Sequence, residues 1–187
     1  MRRAENSASC DRFARLAVVL ATTALVAGCF QPLYGERSPA GAPALREAFS
    51  AIEVLDVAAP ANSSEARLAV QVKNDLVFNF TGGGSPYPPT HRLKIQLGGG
   101  RGTVSIDRAL ALPNVENYTL IANYSLVEIA TGKGVLGGTA TASVAYDALG
   151  QQRFARISGM HDAERRAAKV ISDNITARLA SYFVAGS

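Results

Sequence analysis

Cysteine and histidine are scarce in this chain: each occurs only twice in 187 residues. His91 and His161 lie far apart and bring too few ligands for a zinc centre, so no metal or other cofactor is expected. Cys10 and Cys29 both fall near the amino terminus, which leaves the body of the chain without a thiol for a disulfide. Long apolar runs are also missing. The longest, Leu16 to Ala27, has twelve residues, well short of the roughly 20 that a bilayer-spanning helix needs. No GxSxG nucleophile turn is present, and no other catalytic constellation stands out, so an enzyme is not expected. Charge is nearly balanced, with 19 Lys and Arg against 15 Asp and Glu. So small an excess gives nucleic-acid binding little support.

What is present begins at the amino terminus. Arg2, Arg3, Arg12 and Arg15 precede the short apolar run, which closes on Leu25-Val26-Ala27-Gly28-Cys29. A basic segment, a short apolar segment and small residues before a cut make a secretory signal. The cysteine after Val-Ala-Gly resembles the lipobox of bacterial lipoproteins, in which the peptide is cut before an acylated cysteine. An ordinary secretory signal with a chance cysteine is the alternative. Residues 1–28 are therefore expected to be removed, Cys29 to carry the lipid, and residues 29–48 to form a lipidated tether rich in Pro and Gly. Residues 49–187 form a single domain. Removal of the leader, with its four Arg against Glu5 and Asp11, lowers the net charge from +4 to +2. Two or three acyl chains at ~0.8 kcal/mol per buried methylene make such an anchor essentially permanent.

Periodicity sets the body's elements. Ile52 to Val57 reads as a strand of about six residues. Asn62, with Glu65 three residues on, suits a helix cap, and Ala69, Val72, Leu76 and Phe80 follow at helical spacing. Gly82-Gly83-Gly84 and the prolines after it end that helix. Three strands come next. His91, Leu93, Ile95 and Leu97 alternate with Arg92, Lys94 and Gln96; two more alternating runs cover Tyr118–Leu126 and Thr139–Tyr146, joined by the turn Thr131-Gly132-Lys133-Gly134. Gly98 to Glu116 reads as a loop around Pro113, with a short extension at Thr103–Asp107. A last helix is expected from about Asp162, with Ala167, Val170, Ile171, Ile175, Leu179, Tyr182 and Phe183 as its apolar stripe and Ser172 and Thr176 opposite. The expected fold is α+β and two-layered: a mostly antiparallel four-stranded sheet with two amphipathic helices on one face, in the order strand-helix-strand-strand-strand-helix.

Gly132-Lys133-Gly134-Val135-Leu136-Gly137 matches the dinucleotide pattern GxGxxG, but a strand rather than a helix follows it, so it reads as a hairpin turn. The better candidates are basic residues outside the helices: Arg101 and Arg108 before the hairpin, Lys133 at its turn, and Arg153 and Arg156 ahead of the last helix. A guanidinium grips phosphate in a two-point fork, so these side chains could hold an anionic glycolipid; each could equally be a solvated surface charge.

The stretch Gly28-Cys29-Phe30-Gln31-Pro32-Leu33-Tyr34-Gly35 resembles the start of the mature LPS-assembly lipoproteins of the LptE family, alphaproteobacterial type. The resemblance continues through Tyr124-Ser125-Leu126-Val127, Ala130-Thr131-Gly132-Lys133, Ala142-Ser143-Val144-Ala145-Tyr146, Asp162-Ala163-Glu164-Arg165-Arg166-Ala167-Ala168 and Arg178-Leu179-Ala180-Ser181-Tyr182. It implies a lipoprotein of the outer membrane, anchored in the inner leaflet and facing the periplasm. It also implies an LptD-like outer-membrane β-barrel as partner, plugged by this chain, and binding of lipopolysaccharide during its assembly in the outer leaflet. Basic residues that the family places in lipopolysaccharide binding map to Arg108 and to Arg153 or Arg156. An auxiliary lipoprotein of an envelope ABC-type phospholipid-transport system is the alternative.

Overall fold

The computed structural model describes residues 45–107, 112–148 and 153–185. The leader, Cys29, most of the tether and Arg108 lie outside them. The chain runs α1 (Leu45–Ser50), β1 (Ile52–Val54), α2 (Ser64–Thr81), β2 (His91–Asp107), β3 (Leu112–Glu128), β4 (Gly134–Asp147) and α3 (Arg153–Ala185). The strands form one sheet in the order β1-β2-β3-β4. β1 pairs with β2 in parallel; the other two pairs are antiparallel. The fold is α+β as expected, with a mixed sheet.

One face of the sheet carries the core. Leu93, Ile95 and Leu97 of β2, Tyr118, Leu120, Ala122, Tyr124 and Leu126 of β3, and Ala140, Ala142 and Tyr146 of β4 are buried at alternate positions. They pack against Leu68, Ala69, Val72, Leu76 and Phe80 of α2 and Ala163, Ala167, Ile171, Ile175 and Leu179 of α3. Each fully buried Leu or Ile stabilises the fold by ~1.5–3 kcal/mol relative to exposure. Phe49 of α1 stacks on Phe80 at 5.2 Å and meets Phe183 edge-on at 6.1 Å. α1 begins inside the stretch read as tether, because Leu45 and Phe49 are buried in the core. Among the described residues no helix is long and apolar enough to cross a membrane.

Several local expectations change. The segment read as a loop, Gly98 to Glu116, continues the sheet: β2 and β3 pair from His91↔Glu128 to Asp107↔Leu112, with register shifts around Ser105. Ladder pairing with β3 holds Gly98 to Gly102 extended despite glycine's low strand propensity. Pro113, which cannot donate to a ladder, falls next to the register shifts, where its missing N–H costs least. β1 is three residues long, although Ala58 still bridges to Gln96. Ser63, not Asn62, caps α2, since its hydroxyl accepts from the Ala66 N–H at 3.2 Å. Asn62 lies one residue too early, at φ 58°. Gly82 closes α2 in the left-handed conformation at φ 60°, its N–H donating to Phe78 O.

α3 starts at Arg153, about two and a half turns before the expected start, so His161 lies inside the helix. Its stripe is also rotated. Val170 is exposed while Ser172 and Thr176 are buried, because α3 packs on α2 as well as on the sheet. Both hydroxyls donate to carbonyls four residues back, and Asn79 of α2 donates to Thr176 Oγ1 at 3.2 Å.

Candidate functional site

The sheet face away from the helices is open, with Arg92 and Lys94 at one end, Asp147 at the other and an uncharged stretch between. On β2 it presents Gln96 and then Gly98, Gly100 and Gly102, which have no side chain to fill the surface. On β3 it presents Asn117, Thr119, Ile121 and Asn123, and on β4 Thr139, Thr141 and Ser143. The result is a trough of about 550 Å³ running over the glycines and bordered by Gln96, Asn117, Thr119 and Asn123. Cross-strand bonds order its polar wall. Asn117 donates to Ser143 Oγ at 3.1 Å, Thr119 to the same oxygen at 3.3 Å, and Thr139 to Asn123 Oδ1 at 2.7 Å.

Beneath the trough, on the helix side, Tyr118 donates to the buried Glu65 carboxylate at 2.7 Å. Gly99 makes this possible: a Cβ there would lie 2.9 Å from Glu65 Oε1 and 2.8 Å from Thr119 O. Burial and the carboxylate beside it push the Tyr118 hydroxyl well above its ordinary pKa. Burial alone would raise the Glu65 pKa, but the bonds from Tyr118, its own backbone, Ser63 and Ser64 outweigh it and the net shift is downward.

The strand register divides the predicted basic residues between two ends of the molecule. At one end lie the starts of β2 and β4, the tail of α3 and Lys133. There the turn is closed by Gly132 at φ 68°, with its N–H donating to Glu128 O at 2.9 Å. A strand follows this turn, so the GxGxxG match cannot present a helix N-terminus to a phosphate. At the far end lie the last residues of β2 and β4 and the first turns of α3. Arg101, Arg153 and Arg156 belong to that end, and Arg108 follows the last residue of β2 but lies outside the described residues. Lys133 is separated from Val144, which faces Tyr118 opposite Arg101, by about 35 Å of strand. It therefore cannot share a ligand headgroup with the far-end arginines.

Only part of the far-end charge is free. Arg156 donates to Glu116 Oε1 at 2.5 Å, and Tyr146 donates to Glu116 Oε2 at 2.6 Å. The Glu116 side chain is only 8% exposed, against 43% for Arg156. Burial opposes ionisation of Glu116, but these two bonds and the positive charge of Arg156 and Arg101 hold its pKa below the ordinary value. Burial and the same carboxylate push Tyr146 up to about 12. Arg101 is exposed and donates to the thioether of Met160 at 3.2 Å, a weak acceptor. Exposed apolar side chains share this end: Val104 and Ile106 on β2, Phe154 and Ile157 on α3.

Glu116 and Tyr146 were not among the candidates from sequence. Glu116 has the same parity as Tyr118 and Leu120, so extending the alternation two residues upstream would have placed it on the core face. Among the described residues no three of His, Cys, Asp and Glu gather as metal ligands. His91 instead stands half-buried beside Phe183, its ring 5.4 Å away, and pairs with Thr90 Oγ1 at 2.9 Å.

No family model matches the chain, and no curated protein matches it in sequence. Its fold does recur among solved structures. A protein of Caulobacter crescentus described as a lipoprotein superposes with a TM-score of 0.55 at 21% identity, over 76% of this chain and 97% of that one. Rare lipoprotein B of Shewanella oneidensis gives 0.51 at 14% identity, over 71% and 98%. Lipoprotein B of Nitrosomonas europaea gives 0.53 at 12%, over 72% and 86%. At these identities what is shared is the architecture, and this chain has the fold of a group of bacterial lipoproteins.

Proposed function

We propose that the protein is an outer-membrane lipoprotein, anchored through Cys29 in the inner leaflet and facing the periplasm. In this reading it seats inside an LptD-like β-barrel, binds lipopolysaccharide, and assists its assembly in the outer leaflet without catalysing a reaction. The observation that carries the reading is the open sheet face. Thr, Ser, Asn and Gln side chains over a glycine floor suit a water-lined barrel lumen, where hydrogen bonds can be exchanged. Charge is confined to the ends of the face, at Arg92 and Lys94 and at Asp147, with Arg101 bordering the trough. The shared lipoprotein fold supports the anchor at Cys29. The exposed arginines beside Val104, Ile106 and Phe154 suit an amphiphile that is anionic at one end and apolar at the other.

Extraction of the tagged full-length protein in mild detergent tests the reading. A β-barrel protein should co-purify in a fixed ratio. Recovery of the lipoprotein alone, while other envelope complexes stay intact, would overturn it.

A further inference from the structure

Two guanidinium groups at the far end face one buried carboxylate, and the partition is unequal. Glu116, held by Tyr146, binds Arg156 from below, while more than two fifths of the Arg156 side chain stays open to solvent. Arg101 lies near enough for its charge to act on Glu116 but is bonded to a sulfur instead of an oxygen. Arg153, one turn before Arg156, is exposed. The carboxylate thus cancels one positive charge where the others point outward.

We propose that Glu116 is the positioning residue and internal counter-ion of the anion-binding end: it fixes the Arg156 fork and tempers the attraction that Arg101, Arg153 and Arg156 exert on a phosphate-bearing lipid headgroup. The proposal rests on the lipopolysaccharide reading above and deepens it. A protein that passes an anionic lipid onward needs to grip it and release it. Three unopposed arginines in a partly desolvated setting would hold a phosphorylated headgroup too long, whereas a built-in carboxylate competes for the same guanidinium and shortens the hold. The geometry makes this more than a surface ion pair. Glu116 is nearly buried, doubly hydrogen-bonded and placed by a strand, so it cannot swing away when a ligand arrives. Phe154, 90% exposed beside Arg153 in the first turn of α3, and Val104 and Ile106, exposed near Arg101, give the acyl part of the same ligand an apolar place to rest.

The test is a titration of the full-length protein in nonionic detergent with fluorescently labelled lipopolysaccharide, run beside dephosphorylated lipopolysaccharide and inorganic phosphate. Glu116→Gln keeps one acceptor oxygen for Arg156, its amide N–H can donate to the Tyr146 hydroxyl, and the charge is removed. It should bind lipopolysaccharide about three- to tenfold tighter, with a steeper loss of binding as salt is added. Glu116→Asp should keep the wild-type affinity, and adding Arg101→Gln to Glu116→Gln should bring the affinity back toward wild type. Thermal melting of each variant identifies any that fails to fold, and Glu116→Gln combined with Tyr146→Phe, which removes the hydroxyl the amide would have to satisfy, carries the comparison if Gln alone does not fold. Unchanged or weaker binding by a folded Glu116→Gln protein overturns the proposal, while binding of lipopolysaccharide by the wild type then still supports the functional reading. Wild-type protein that binds no lipopolysaccharide overturns the functional reading itself. Inorganic phosphate bound as tightly as lipopolysaccharide, or dephosphorylated lipopolysaccharide bound equally well, overturns the assignment of the ligand to a lipid phosphate.

Discussion

Three glutamates, Glu65, Glu116 and Glu164, are buried in this small body, and each is met by a named donor: Tyr118, Tyr146 with Arg156, and Arg67 at 2.6 Å. Removing a donor exposes the cost of an unsatisfied carboxylate. Tyr118→Phe should lower the unfolding free energy by ~1–3 kcal/mol in urea titrations, although only one oxygen is deleted. The same residues set the response to acid. Glu65 and Glu116 have folded pKa values below their ordinary 4.5, so the folded state binds fewer protons than the unfolded chain as pH falls through that range. Their contribution is complete above about pH 4.5 and is lost as pH drops through the folded values. His91, whose pKa burial lowers from 6.5, adds a loss of the same sign at higher pH, between 6.5 and its folded value. Stability should thus decline on acidification from neutral pH, and Glu116→Gln should flatten the part of the curve below pH 4.5 in pH-dependent urea unfolding.

Alternation along β2 assigns opposite fates to neighbouring glycines. Gly99 faces the packed side, where an added Cβ would meet the backbone oxygen of Thr119 at 2.8 Å, whereas Gly98 and Gly100 face open space. Gly99→Ala should cost ~1–3 kcal/mol by overpacking, and Gly100→Ala should leave the denaturation midpoint nearly unchanged. Much of this layout was legible in the residues. The alternation in Leu93–Leu97, Tyr118–Leu126 and Ala140–Tyr146 placed three strands with the correct inward faces, and the Val72–Leu76–Phe80 spacing placed α2. What escaped has physical causes. Gly98 to Gly102 has no strand propensity of its own and is extended only because β3 pairs with it, a long-range contact invisible to a local window. The early turns of α3 carry little apolar periodicity, because they reach past the core and bury only part of Arg156 and Met160. Glu116 was hidden because it closed the stretch read as a loop, Gly98 to Glu116, and so was assigned no strand face. The arginines were found by type, but their division between two ends required the register.

Viewed as a whole, the described body keeps its apolar packing on one side of the sheet, leaves on the other a wet surface whose middle stretch is uncharged, and places Arg101, Arg153 and Arg156 together at one extremity. This arrangement fits a body clasped by a polar wall while one tip handles an anionic amphiphile. Under the proposed function, depletion should trap lipopolysaccharide on the periplasmic side and make the outer membrane leaky to large hydrophobic antibiotics. Mis-sorted phospholipid with normally exported lipopolysaccharide would favour the phospholipid-transport alternative instead.

β4 carries a further implication. It ends the sheet order, its fourteen residues include one charged side chain, Asp147, and it contains no proline. Such a rail has little to deter a foreign strand from zipping onto it. A cell that makes this chain in excess therefore risks edge-to-edge stacking of surplus copies, and if the proposed barrel houses the chain, matched supply of the two would matter for solubility as much as for traffic.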